Sequence, residues 1–202
     1  MGEEASAQDD TASRDGEKYF RGMGDEMSEI QQRLFTDPFD PDPYGLTQDD
    51  WYTPPSIVEP ARRVLGSIDL DPASCPLANE VVKAAKYFTK DDDGLNHEWS
   101  GNVYCNPPYS DVDRWVEKTL EEVRAGRVFR AIFLCNASVD SRYAHKLLRF
   151  PVCFILGRVP FWHPEKETGR GRLGSMVSLI GDEREMTERF VAEFSLLGIV
   201  KI

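Results

Sequence analysis

The stretch Asn102-Val103-Tyr104-Cys105-Asn106-Pro107-Pro108-Tyr109 decides how the chain is read. Asn102–Cys105 has the composition of a short buried strand. The two prolines that follow lack a backbone N–H and cannot continue a ladder, so they turn the chain out of the sheet. A loop is therefore expected at a strand end, the place where open α/β sheets bind ligands.

Working outward, the chain alternates short apolar runs with longer amphipathic ones. Upstream, Gly66–Pro72 reads as a short buried strand ended by a turn, and Leu77–Lys86 as a helix. Downstream, Val112, Trp115, Val116, Leu120 and Val123 recur at helical spacing within Asp111–Ala125, which Gly126 ends. Val128–Cys135 is strand-like, Tyr143–Phe150 continues the alternation, and Val152–Leu156 and Met176–Ile180 read as further strands before a closing segment, Met186–Ile202. The pattern predicts an α/β fold, a doubly wound, mostly parallel sheet.

Hydrophobic residues make up 41% and charged residues 29% of the 202 positions, the balance of a globular domain with enough chain for a core. No apolar run has the length of a membrane span. The amino terminus, MGEEASAQDD, lacks the basic-then-apolar pattern of a secretory signal, so a cytoplasmic location is expected. Cys75, Cys105, Cys135 and Cys153 are far apart and lie in no C-x-x-C pair, which predicts buried free thiols and neither a disulfide framework nor a metal site.

The net charge of −11 argues against a nucleic-acid partner until its location is considered. Residues 1–50 hold 14 acidic and 4 basic side chains, a net of −10, and the remainder is nearly neutral. Residues 1–43 are therefore expected to be an acidic, largely disordered tail, with a short helix across Glu26–Phe35, and 44–202 the folded domain. Arg142, Lys146, Arg149, Arg158, Lys166, Arg170 and Arg172 are candidates for a local basic face on that domain.

The residue types in Asn106-Pro107-Pro108-Tyr109 suit methyl transfer to a planar amino nitrogen. Such a nitrogen delocalises its lone pair into the ring or carbonyl beside it. Acceptors that take its hydrogens restore its nucleophilicity. The Asn106 side-chain carbonyl can take one hydrogen and the Pro107 backbone carbonyl the other, held by proline's fixed dihedral. Tyr109 offers a face on which an unstacked base can rest, as a base flipped from a duplex requires. Transfer from a sulfonium needs no acid, base or metal, so positioning and electrostatics carry the rate.

Several motifs occur in the order found in a known family. Asp50-Trp51-Tyr52-Thr53-Pro54, Asp69-Leu70-Asp71-Pro72-Ala73-Ser74, Asn106-Pro107-Pro108-Tyr109-Ser110, Gly157-Arg158-Val159-Pro160-Phe161 and Gly174-Ser175-Met176 make residues from about Tyr44 to Ile180 resemble the phage-type DNA N-6-adenine methyltransferase family, often called Dam. The resemblance implies the Rossmann-like fold of S-adenosylmethionine-dependent methyltransferases, somewhat shortened. It also implies that cofactor, and double-stranded DNA with a flipped adenine as substrate, in a phage or prophage setting. By the same resemblance, Asp69, Asp71, Pro72 and Ala73 surround the methionine part of the cofactor, and Trp51, Thr53 and Pro54 close over it. Asp93 would contact its adenine. Asn106, Pro107, Pro108 and Tyr109 would form the catalytic loop, with Arg158 and Phe161 joining Tyr109 at the substrate.

The sequence departs from the wider superfamily in having Pro72-Ala73-Ser74 where a glycine cluster would stand, and the short gap from Asp71 to Asn106 predicts one or two missing or reduced elements there. Two other readings use the same residues. One is an amino-methyltransferase acting on RNA or on a protein glutamine. The other is a non-catalytic cofactor-binding or DNA-mimicking protein whose acidic tail engages a partner.

Overall fold

A computed structural model describes residues 51–163, 166–170, 173–181 and 184–202. The acidic stretch 1–43, its expected helix at Glu26–Phe35, and Arg172 lie outside the described residues.

The described chain is mixed α/β. In order it runs α1 (Pro55–Leu65), β1 (Leu70–Asp71), α2 (Pro76–Val82), β2 (Lys86–Tyr87), β3 (Gly101–Cys105), α3 (Val112–Arg124), β4 (Val128–Asn136), α4 (Arg142–Leu147), β5 (Val152–Ile155), β6 (Pro160–His163), β7 (Lys166–Arg170), β8 (Ser175–Ile180), α5 (Arg184–Phe194) and β9 (Gly198–Lys201). Short 3₁₀ turns cover Gly94–Asn96 and Tyr109–Asp111. Seven strands form one sheet in the order β2-β1-β3-β4-β8-β5-β9, and β6 and β7 form a separate hairpin.

The sheet is less parallel than the sequence predicts. The pairings β1–β2, β1–β3 and β3–β4 are parallel, whereas β4–β8, β5–β8 and β5–β9 are antiparallel. Five strands still point one way, because β5 runs with β4 while β8 and β9 oppose them. The cause is the β6–β7 hairpin between β5 and β8: it brings the chain back along the sheet without a crossover helix.

Side-chain alternation builds two cores. Tyr104, Ile132, Leu134, Cys153, Val177 and Leu179 pack with α1 and α5 on one face. Val103, Cys105, Ala131, Phe133, Cys135, Met176 and Ile180 pack with α3 and α4 on the other. Burying a Leu, Ile or Phe is worth about 1.5–3 kcal/mol, so the register of β3, β4 and β8 is fixed from both sides. Within β3 and β4, Val103–Cys105 and Ala131–Cys135 are accordingly buried without a break, as strand segments covered on both faces are.

Two local expectations are corrected. Gly66 does not begin a strand: at φ 82° it ends α1, its N–H donating to the Arg62 carbonyl at 2.8 Å, and β1 is only Leu70–Asp71. The helix expected over Leu77–Lys86 stops at Val82. The Asn79 side chain accepts from the Ala84 N–H at 2.9 Å and donates to the Ala84 carbonyl at 3.3 Å, drawing the chain back and freeing Lys86–Tyr87 to pair with β1. Between β2 and β3 the described chain makes one 3₁₀ turn and no longer helix. The hairpin β6–β7, α1 and β9 have no counterpart among the sequence expectations.

All four cysteines are free thiols. Cys105, Cys135 and Cys153 are buried, and the half-buried Cys75 accepts from the Ala78 N–H at the start of α2. Among the described residues no helix is long and apolar enough to cross a membrane, and no cluster of metal-ligating side chains occurs.

Candidate active site at the carboxyl ends of the strands

β1, β3 and β4 are parallel neighbours, so Asp71, Asn106 and Asn136 come to one edge of the sheet. Asn106 follows Cys105, the last residue of β3, and the prolines then release the chain into the 3₁₀ turn that leads to α3. The Asn106 Nδ2 donates to the Trp51 carbonyl at 3.4 Å. A carbonyl can only accept, so this contact fixes which way the carboxamide faces. Its Oδ1 is buried with no hydrogen-bond partner. Among the described residues no hydrogen bond reaches the Pro107 carbonyl. Two consecutive residues thus each carry an acceptor with no donor among the described residues.

Tyr109 stands edge-on to Phe161, ring centroids 6.2 Å apart and planes at 85°. Burial pushes the Tyr109 phenol well above its ordinary value, and its hydroxyl has no partner. Arg158 is exposed, and a Cβ on Gly174 would lie 3.4 Å from its Nη1, so the guanidinium lies beside that glycine at the rim.

The segment before α1 is pinned from two sides. Tyr52 and Trp162 exchange backbone hydrogen bonds of 2.9 and 3.1 Å, and their rings meet edge to face at 5.1 Å. Trp162 Nε1 donates to the Thr53 carbonyl at 3.4 Å. From below, the buried Tyr104 hydroxyl donates to Thr53 Oγ1 at 2.9 Å. Pro54 then leads into α1, whose first residue Pro55 is preset for a helix. Thr53 is therefore fixed over the end of β3 by the hairpin and the sheet together.

The two aspartates of the β1 segment lie at opposite ends of it. Asp69 sits at the amino end, where Oδ1 accepts from Ser67 Oγ at 3.0 Å and Oδ2 from the Asn102 N–H at 2.7 Å. Both oxygens are thus occupied, and the bond from Asn102 ties the residue before β1 to β3. Asp71 sits at the carboxyl end, buried, with Oδ1 accepting from the Ala73 N–H at 3.2 Å. Burial pushes its carboxyl up to about 7, against the downward pull of the Ala73 N–H and the nearby Ser74 hydroxyl.

Asp93 is exposed in the left-handed region at φ 51° and caps the 3₁₀ turn, accepting from the Leu95 N–H at 3.3 Å and Asn96 Nδ2 at 2.6 Å. A Cβ on Gly94 would fall 2.0 Å from the Pro72 carbonyl oxygen, so glycine lets this turn press against the loop after β1. The Trp99 indole N–H donates to the Gly94 carbonyl at 2.8 Å and holds it there. The structure thus brings Thr53, Asp71, Pro72, Ala73, Asp93, Asn106 and Tyr109 to one end of the sheet and leaves Asp69 at the other.

Of the candidate basic face, Lys146 is paired with Glu117 at 2.7 Å and Asp113 at 3.6 Å. The side chains of Lys166 and Arg170 lie outside the described residues. Sequence reading did not single out Tyr104 and Trp162, the two residues that fix Thr53. Tyr104 carried a signal: it stands two residues before Asn106 and so shares its face.

A family model described as DNA N-6-adenine-methyltransferase (Dam) matches residues 45–192. A DNA N-6-adenine-methyltransferase of Escherichia phage T1 is 30% identical over 97 residues, 47% of this chain and 38% of that protein. The chain therefore matches well under half the length of that relative. The family match spans most of the chain and both halves of the site, from the segment before Thr53 to α5. On that ground the chain belongs to the DNA N-6-adenine-methyltransferase (Dam) family.

Proposed function

We propose that the protein transfers a methyl group from S-adenosylmethionine to the exocyclic amino nitrogen of adenine in DNA. The observation that carries this reading is the Asn106 carboxamide: its nitrogen is turned to the Trp51 carbonyl, and its Oδ1 is buried and unpartnered. An orphaned acceptor in a protein interior costs about 1–3 kcal/mol unless a ligand uses it. An amino group supplies the missing donor, and the Pro107 carbonyl takes its second hydrogen. The nitrogen lone pair is then aimed away from both acceptors.

The residues around β1 fit the cofactor. Asp71 is a buried carboxylate with no cation beside it among the described residues, and the ammonium of the cofactor's methionine part would supply one. Pro72, Ala73 and the turn at Asp93 would flank it, with Thr53 and Pro54 above and Trp51 beside Asn106. Asp69 acts through strand register. When bound, S-adenosylmethionine supplies an electrophilic methyl carbon on its sulfonium. The chain's own part is to orient the amino nitrogen, exclude water and support the base against Tyr109 and Phe161, with Arg158 at the rim toward the phosphate backbone.

The test is incubation of purified protein with unmethylated DNA and S-adenosylmethionine, followed by digestion to nucleosides and mass analysis. N6-methyladenine that disappears in Asn106→Ala supports the reading. No methylated base from DNA, with the cofactor bound, rejects it in favour of an RNA or protein acceptor.

A further inference from the structure

Among the described residues, the buried side-chain atoms without a partner at the carboxyl end of the sheet include the Ser175 hydroxyl as well as Asn106 Oδ1 and the Tyr109 hydroxyl. Ser175 opens β8, which runs antiparallel to β4, and its register partner is Asn136, the last residue of β4. Alternation sets the direction of the side chain: Met176 points into the core with α3 and α4, whereas Val177 points into the core with α1 and α5. Ser175 therefore shares the face of Val177, and with it the face of Tyr104. The residue is 1% exposed and its Oγ has no hydrogen-bond partner.

β8 lies two strands from β3, which is about 10 Å. That span matches a purine lying across the end of β4 with its amino group at Asn106 and a hydrogen bond at its far edge. Cofactor groups on the β1 side and a base on the β8 side would then meet at Asn106. Gly174 precedes Ser175, and the Arg158 guanidinium at the rim lies beside it, so a nucleotide with its base here has a cation close to its phosphates.

We infer that Ser175 is a base-binding residue whose hydroxyl donates to a ring nitrogen of the target adenine remote from the amino group, with Asn136 beside it on β4. The inference rests on the function proposed above. It assigns part of the site's hold on the target base to β8, at the register pair Ser175 and Asn136.

The test is the Ser175→Ala variant assayed on a DNA that the wild type methylates. The KM for DNA is expected to rise roughly three- to tenfold, the worth of one neutral hydrogen bond. S-adenosylmethionine affinity is expected to stay within about twofold and the thermal midpoint to hold or rise, since the change deletes an orphaned hydroxyl. A second measurement uses wild-type protein on a duplex whose target adenine is replaced by 3-deazaadenine. The same factor is expected to be lost, with no further loss when analogue and variant are combined. An unchanged KM in the variant, a lowered midpoint that accounts for the loss, or additive losses overturn the inference. A wild type that forms no methyladenine overturns the proposed function and this inference together, whereas an active wild type with an unaffected variant overturns this inference alone.

Discussion

The Asn106 side-chain nitrogen lies 3.4 Å from the Trp51 carbonyl oxygen, and that contact leaves Asn106 Oδ1 buried without a partner. Trp51, placed over the cofactor by resemblance, thus meets the loop after β3 through its backbone carbonyl. Asn106→Ala removes the acceptor and leaves Asp71 and Thr53 in place. Methyl transfer is expected to fall at least about 100-fold, with S-adenosylmethionine binding by calorimetry nearly unchanged. Full activity in this variant would remove the central claim.

Tyr109 contributes its ring. Its hydroxyl is buried and makes no hydrogen bond, while the ring meets Phe161 edge to face. Tyr109→Phe is therefore expected to keep activity within a few-fold and to hold or raise thermal stability. Tyr109→Ala is expected to weaken DNA engagement roughly 10- to 100-fold, from about 1–3 kcal/mol of lost stacking. Steady-state KM for DNA and a melting curve separate the two.

Tyr104 reaches the site through Thr53. Tyr104→Phe deletes the 2.9 Å hydrogen bond between two buried hydroxyls and strands Thr53 Oγ1, at a cost of about 1 kcal/mol. Weaker cofactor binding, with kcat little changed, is the expected result. Equal affinity for S-adenosylmethionine would show that Thr53 is held by Trp162 alone.

Asp71 sets a pH dependence of unusual sign for a carboxylate. Its folded value of about 7 exceeds the ordinary 3.8, so between those values the folded protein binds more protons than the unfolded chain. Stability of the ligand-free protein therefore falls as pH rises from about 4 to about 7, by an amount on the order of a few kcal/mol. Asp71→Asn is expected to flatten that dependence in melting curves taken across the range. Cofactor affinity in the wild type is expected to rise as pH passes 7, where the carboxylate forms, and to lose this rise in the variant.

Gly94 tests the packing of the turn against the loop after β1. Gly94→Ala places a methyl 2.0 Å from the Pro72 carbonyl and is expected to lower stability by more than about 1 kcal/mol and to weaken cofactor binding. Gly126→Ala is the comparison: its φ is 70° but a Cβ there meets nothing within 4 Å, so only the backbone cost of about 1 kcal/mol is expected. Equal melting temperatures for the two variants would contradict the close approach.

The sequence by itself determined what depends on neighbours along the chain. The prolines after Cys105 end β3 wherever they occur, the spacing of Val112, Trp115, Val116 and Leu120 makes one apolar helix face, and the widely spaced cysteines stay free. The ordered motifs were enough to find the family. Only the tertiary structure decided what depends on segments far apart meeting. Asp69 and Asp71 are alike in sequence, and the partners of the first, Ser67 and the N–H of Asn102, assign it to strand register while burial sets the second apart. The β6–β7 hairpin reverses the chain and makes half the strand pairings antiparallel. It also carries Trp162 to Thr53, 109 residues away in sequence. Ser175 is an ordinary strand serine until β4 and β8 pair, because an unpartnered hydroxyl can be recognised only once every possible partner has been placed around it.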